Sequence, residues 1–338
     1  TWSNYDVDGC LRHNKGEIDA LLSAGWKFDF VRLHMDPYWS DKLNCTHDDH
    51  TYRYEGHECF DENRFRNSLN SVFIPMAEYA ISKGLYVVMR PPGVSPHKIA
   101  VGDDYYDFLM KVWTIVSQHP KIKGNDKIMF ELANEPIDIV GTDNSVGNGW
   151  NLAQFESMNL FMQPIVNRIR ENAGNIIWVP GLGYQSQYSG FATYPIQGQD
   201  IGYAVHLYPG WMGSDGYNPD AGVYNEGGYW PFKAGWDNQV KPVADFAPII
   251  ITEMDWAPAE YNPNGHDMTW GTALTGTVGG PGFGANYKKI VDDSGNVSWL
   301  VFATIGLMLA EINDTGHQLY GFRPDSYAFL WLRSNWLT

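Results

Sequence analysis

Two glutamates stand where chemistry could be done. Glu135 lies in the stretch IMFELANEPID at 128–138, beside Asn134 and ahead of Pro136. Glu253 stands next to last in PIIITEM at 248–254, ahead of Asp255 and Trp256. Each follows an apolar run that reads as a strand buried on both faces, where a charge is costly unless it is paired or used. Two carboxylates at the rims of different strands suit cleavage of a glycosidic bond. One, protonated, donates to the leaving oxygen; the other, ionised, attacks the anomeric carbon. A carboxyl separation of about 5–5.5 Å gives retention and roughly 6.5–9.5 Å inversion. Glu135 fits the acid/base role and Glu253 the nucleophile role. Asn134 can hydrogen-bond a sugar hydroxyl beside the reaction centre, a contact that strengthens in the transition state. Tyr208 and Arg32 can keep Glu253 ionised and aimed, since a neighbouring cation lowers a carboxyl pKa. His206 can do the same for the acid/base.

Other apolar runs also end in polar side chains: Arg32 and His34 in FVRLHM, Arg90 in LYVVMR, His206 and Tyr208 in AVHLY. If the strand stays regular as far as Glu135, then Glu131, Ala133 and Glu135 share one face. Glu131 lies deeper and is expected to pair with Arg32 or Arg90 rather than to react. Pro136 removes a backbone donor and stops the ladder there.

The elements that must position these groups alternate along the chain. Strands are predicted at 28–35, 85–90, 127–133, 175–180, 202–208, 248–254 and 298–305. Helical periodicity falls near 16–24, 63–83, 104–118, 154–172, 233–246 and 284–292. Strand–helix–strand repetition implies parallel pairing with crossovers. The expectation is a single α/β domain over 1–338, a (β/α)8 TIM barrel, with long loops at 36–62, 209–232 and 256–284. The eighth strand must then lie in TWSNY at 1–5. A doubly wound open sheet would want a Gly-rich phosphate loop after its first strand, and none is present.

Bulk properties narrow the partners. The 338 residues carry a formal net charge of −16, which repels nucleic acid, and no basic run offsets it. No uncharged apolar stretch is long enough to span a membrane. Fourteen Trp and 20 Tyr supply flat faces for a ligand as well as core. Cys45 and Cys59 bracket a polar segment and read either as a disulfide of an exported protein or, with Cys10, as free thiols. His47, Asp48, Asp49, His50 and His57 in that segment match no metal-ligand spacing, so a solvated loop is expected there and no metal.

Four motifs then fall in one order. FELANEP resembles the acid/base motif of glycoside hydrolase family 5 and its retaining clan, AVHLYPGW the His-x-Tyr strand before the nucleophile, IIITEMDW the nucleophile strand, and FVRLHM the early strand whose arginine supports it. The resemblance covers about residues 28–305. It implies retaining double displacement on a β-linked glycan, a mechanism that needs no cofactor or metal. With the open cleft that the long rim loops and aromatics suggest, the expectation is a secreted, monomeric endo-β-1,4-glucanase acting on a β-linked polysaccharide. Alternatives within the family are a β-1,4-mannanase or a xylan- or xyloglucan-directed enzyme. A non-catalytic glycan-binding barrel would be expected to lose one glutamate, and an aldolase would want a strand-end lysine. The chain departs from the family pattern at two places. The third strand reads VVMRPPG where a histidine is usual, leaving His97 or His34 to substitute. The floor of the −1 site falls to Trp299 or Phe302. Trp39, Trp211 and Trp256, just past strands with catalytic candidates, are the expected sugar platforms. Tyr38, Tyr184, Trp230 and Trp270 are further aromatics near strand ends, while Trp113 and Trp178 are expected in the core.

Overall fold

Short runs of Val, Ile and Phe become parallel strands because both their faces are covered. The protein is seen in a computed structural model that describes residues 7–23, 25–36, 57, 60–208, 210–214, 216–218, 223–225, 228–254, 283–300, 308–312 and 318–322. The strands are β1 (Phe30–His34), β2 (Tyr86–Arg90), β3 (Ile128–Glu131), β4 (Ile177–Pro180), β5 (Ile201–His206), β6 (Ile249–Glu253) and β7 (Val297–Trp299). All seven expected strands are present, and hydrogen-bonded neighbours follow chain order. The eighth, expected at 1–5, lies outside the described residues.

The chain divides into two compact units. The first comprises 1–15 and 28–204. There β1 to β5 pair in parallel, with His34 opposite Arg90, Met89 opposite Phe130, Glu131 opposite Trp178 and Val179 opposite Tyr203. The second comprises 16–27 and 205–338 and takes in the end of β5. In it the Leu207 N–H donates to the Glu253 carbonyl at 2.9 Å, and β6 pairs with β7, with Ile251 opposite Trp299.

The helices are α1 (Val7–Ser23), α2 (Glu62–Ser68), α3 (Ile74–Ser82), α4 (Asp104–Gln118), α5 (Leu152–Arg170), α6 (Tyr229–Gln239) and α7 (Gly284–Ser294). Side-chain oxygens of Asp61, Asp103 and Asn151 cap α2, α4 and α5 by accepting from Arg64, Tyr106 and Gln154 N–H groups. Helix α4 buries Phe108, Leu109, Val112, Trp113 and Val116. The Trp113 indole N–H donates to the Leu132 carbonyl at 2.8 Å, which ties the helix to the chain just past β3.

Several boundaries differ from expectation for local reasons. Helix α1 begins well before residue 16; Gly9, Asn14 and Gly16 weaken the propensity that a periodic reading relies on. The stretch 63–83 is interrupted by a π-turn at Leu69–Phe73, just before Pro75, whose ring removes a donor from the next turn. The stretch 233–246 breaks into α6 and a short helix, Lys241–Ala244, at Pro242. Strand β3 stops at Glu131 instead of reaching 133. A small three-stranded sheet of Lys98–Ile99, Asp138–Val140 and Val146–Gly147 was not expected. Nor was the hairpin of Met308–Ile312 with Gln318–Phe322. No helix among the described residues is long and apolar enough to cross a membrane.

Candidate active site

In the first unit the site is organised around one buried ion pair. Arg32 Nε donates to Glu131 Oε2 at 2.6 Å and Arg32 Nη2 to Glu131 Oε1 at 3.0 Å, and both side chains are almost fully buried. Strand alternation aims them at each other from β1 and β3, so the inner glutamate meets the first of the two arginines considered for it. Arg32 Nη2 also donates to Asn134 Oδ1 at 2.6 Å. That fixes the amide's orientation, since an NH2 group there would face another donor.

Beyond Glu131 the backbone leaves the strand. Glu135 has φ +53°, in the left-handed region, so the alternation expected to carry through Ala133 fails. Its N–H donates to Gln185 Oε1 at 2.8 Å. The Asn134 carbonyl accepts from both the backbone N–H and the Oγ of Ser95, each at 2.7 Å. Asn134 is buried and Glu135 half-buried.

The other arginine serves a different knot. Arg90 makes a forked contact with Asp36, Nη1 to Oδ1 at 2.9 Å and Nη2 to Oδ2 at 3.0 Å, and Nη1 also donates to the Pro91 and Gly93 carbonyls. His34 Nδ1 accepts from Arg90 Nη2 at 2.9 Å. Burial first, and the Arg90 charge second, lower the His34 pKa to about 4, so its ring is neutral near pH 7. Desolvation, the largest single influence, pushes the Asp36 carboxyl up, but Arg90, His34 and the Gly93 N–H together more than offset it and hold the group well below the usual carboxylate range.

In the second unit β6 delivers Glu253 with its side chain buried. Tyr208 donates its hydroxyl to Glu253 Oε2 at 2.6 Å, and His206 Nδ1 stands 3.4 Å from the same oxygen. Sequence reasoning set His206 against the acid/base; the contact found inside this unit is with Glu253. The Trp211 ring meets Tyr208 edge to face at 5.1 Å, and Trp299, at the end of β7, meets Tyr287 likewise at 5.6 Å.

The family model for Cellulase (glycosyl hydrolase family 5) matches residues 12–273. The chain belongs to glycosyl hydrolase family 5. An endoglucanase from Bacillus sp. (strain KSM-635) is 31% identical over 143 residues, 40% of this chain but only 14% of that protein. A native β-glucanase from Saccharophagus degradans, 18% identical, superposes with a TM-score of 0.58 over 87% of this chain and 75% of its own. The same enzyme solved with cellotetraose gives 0.56 over the same shares at the same identity. These likenesses show the fold, the (β/α)8 barrel.

Within this family-5 chain, the two histidines considered for the third-strand position part company. His34 sits against Arg90, whereas His97 is largely exposed, 3.6 Å from Asp138. Trp113 and Trp178 are core, as expected; Trp230 is largely exposed and Tyr184 partly so. Tyr38, Trp39, Trp256, Trp270 and Phe302 lie outside the described residues, as do Cys45, Cys59 and residues 47–50. Sequence reasoning missed Asp36, Ser95 and Gln185. Gln185 had only a faint signal: it closes Gly-Leu-Gly-Tyr-Gln after an apolar run, where a turn forms but no period says which way its side chains point.

Proposed function

We propose that the chain is a secreted, monomeric endo-β-1,4-glucanase, acting through one catalytic domain on a β-linked polysaccharide by retaining double displacement. Glu253 attacks the anomeric carbon as the bond to the leaving oxygen breaks, and Glu135 gives that oxygen a proton. Water then attacks the glycosyl–Glu253 ester. Glu135 takes the water's proton, the ester bond breaks and Glu253 is regenerated as carboxylate. Asn134, its carbonyl oxygen engaged by Arg32, offers Nδ2 to a sugar hydroxyl, and Trp211 and Trp299 offer faces for sugar rings.

The observation that carries this reading is the buried Glu253 carboxylate held by Tyr208 at 2.6 Å, on the strand whose motif resembles the family's nucleophile strand. The cellotetraose complex of the S. degradans relative supports a glucan, while a Thermotoga maritima neighbour was solved with mannotriose, so mannan stays in the panel as the competing substrate. The test is a panel of carboxymethyl cellulose, lichenan, xyloglucan, mannan and arabinoxylan, with product sizes followed from the first minute. Mixed short oligomers from the glucans, lost by about 10²–10⁴ in rate in Glu135→Gln and Glu253→Gln, are expected. Undiminished hydrolysis in both variants would refute the assignment.

A further inference from the structure

The motif loop that carries Glu135 is held in a conformation its own sequence does not favour. A non-glycine residue at φ +53° is strained and persists only when its surroundings impose it. Facing it, after β4, Gly183, Tyr184 and Gln185 are all left-handed, at φ +58°, +59° and +59°. The two strained segments are laced together rung by rung. The Gly183 N–H donates to the Ile137 carbonyl at 3.0 Å and the Tyr184 N–H to the Pro136 carbonyl at 3.0 Å. The third rung runs the other way, from the Glu135 N–H to Gln185 Oε1 at 2.8 Å.

Gln185 is fully buried and its amide can point only one way. Its Nε2 donates to Glu131 Oε1 at 3.1 Å and to the Ala204 carbonyl at 3.1 Å. A flipped amide would set oxygen against the carboxylate and NH2 against the Glu135 N–H. One side chain therefore joins the Arg32–Glu131 ion pair to the backbone of Glu135.

From this we infer that Gln185 is a positioning residue for the acid/base: it locks Glu135 in its left-handed conformation and so aims the carboxyl at the leaving oxygen. The inference rests on the reading of Glu135 as the acid. It has a signature that mere scaffolding lacks. A misaimed acid harms departure of a poor leaving group, which needs the proton, and spares a good one, which does not.

The test measures kcat/KM on 2,4-dinitrophenyl and on phenyl β-cellobioside. In Gln185→Met, of similar volume, the ratio of the first to the second is expected to rise at least about tenfold, as a misplacement near 1 Å can cost about 10² in rate. A parallel fall on both substrates, or no change, overturns the inference. Gln185→Asn keeps an amide and sets no second carboxylate against Glu131, but falls short by one methylene. It serves if the methionine variant does not fold: its ratio is expected to rise as well, and an unchanged ratio overturns the inference. Glu135→Ala is the control for the underlying reading. If it leaves the ratio unchanged, Glu135 is not the acid; if it raises the ratio and Gln185→Met does not, only the role of Gln185 fails.

Discussion

Two glutamates four residues apart can do different work only if something separates their environments, and here the backbone does it. Glu131 ends the regular strand, fully buried, facing Arg32; Glu135 comes after the chain has turned left-handed and is half-buried. A buried ion pair is no proof of stability, but removing one partner leaves a bare charge in a low-dielectric site. Arg32→Met should therefore destabilise by about 3–5 kcal/mol in urea unfolding, and adding Glu131→Gln should recover a large part of that loss. A double variant no more stable than the single one would mean that Glu131 is not the group Arg32 neutralises. His34 gives a second residue-scale prediction. Folded, it takes its proton only near pH 4; unfolded, near about 6.5. Between those values the unfolded chain binds more protons, so this residue's contribution to stability declines as pH falls through the window. Asp36, held low by Arg90, acts separately, losing its contribution as the pH falls below the usual carboxylate range. In His34→Asn the thermal midpoint should slope less between pH 6.5 and 4. Parallel curves for parent and variant would rule that out. That Glu131 meets an arginine was legible, with Arg32 and Arg90 both open, because alternation in a strand is strict; that the partner is Arg32 came from the structure. Gln185 and Asp36 were not legible, because each acts from a loop, where no period tells which way a side chain points.

At the scale of elements, the order and place of the strands were legible, since a Val- and Ile-rich run bounded by polar ends has few other fates; their ends were not, as where 127–133 is seen as Ile128–Glu131. Helix ends were read less well wherever proline or glycine changed the local balance, as at Pro75 and Pro242. The short sheet of Lys98–Ile99, Asp138–Val140 and Val146–Gly147 escaped notice because strands of two or three residues carry no pattern. What a boundary does for the site is clearest in α4. Its Trp113 fills the space against Phe130, with ring centroids 5.2 Å apart, and satisfies the Leu132 carbonyl three residues before Glu135. Trp113→Phe keeps most of the apolar volume and deletes the donor. It should cost about 1–3 kcal/mol, the penalty of a buried unpaired carbonyl, read as a lower urea midpoint at unchanged slope. A loss near zero would show that another donor, or water, takes over the Leu132 carbonyl.

For the molecule as a whole, charge is the property most visible in the sequence and least visible in any one contact. Lys and Arg number 23 against 39 Asp and Glu. Among the described residues, four lysine–aspartate pairs sit one helical turn apart: Lys233–Asp237, Lys241–Asp245, Lys288–Asp292 and Lys289–Asp293. All four put the lysine N-terminal to its partner, the weaker orientation, and such exposed surface pairs contribute little. Salt weakens them, but it also screens the mutual repulsion of the remaining excess, a net charge of −16 spread over one chain. The Debye length falls from about 30 Å at 0.01 M to about 8 Å at 0.15 M, so long-range repulsion is lost first while contacts under 4 Å persist. Repulsion should therefore win, and the thermal midpoint at neutral pH should rise as sodium chloride goes from about 0.01 to 0.15 M. If the midpoint fell over that range, the surface ion pairs would be contributing more than the net charge removes, and their lysines, Lys241 and Lys289 first, would be the substitutions to examine.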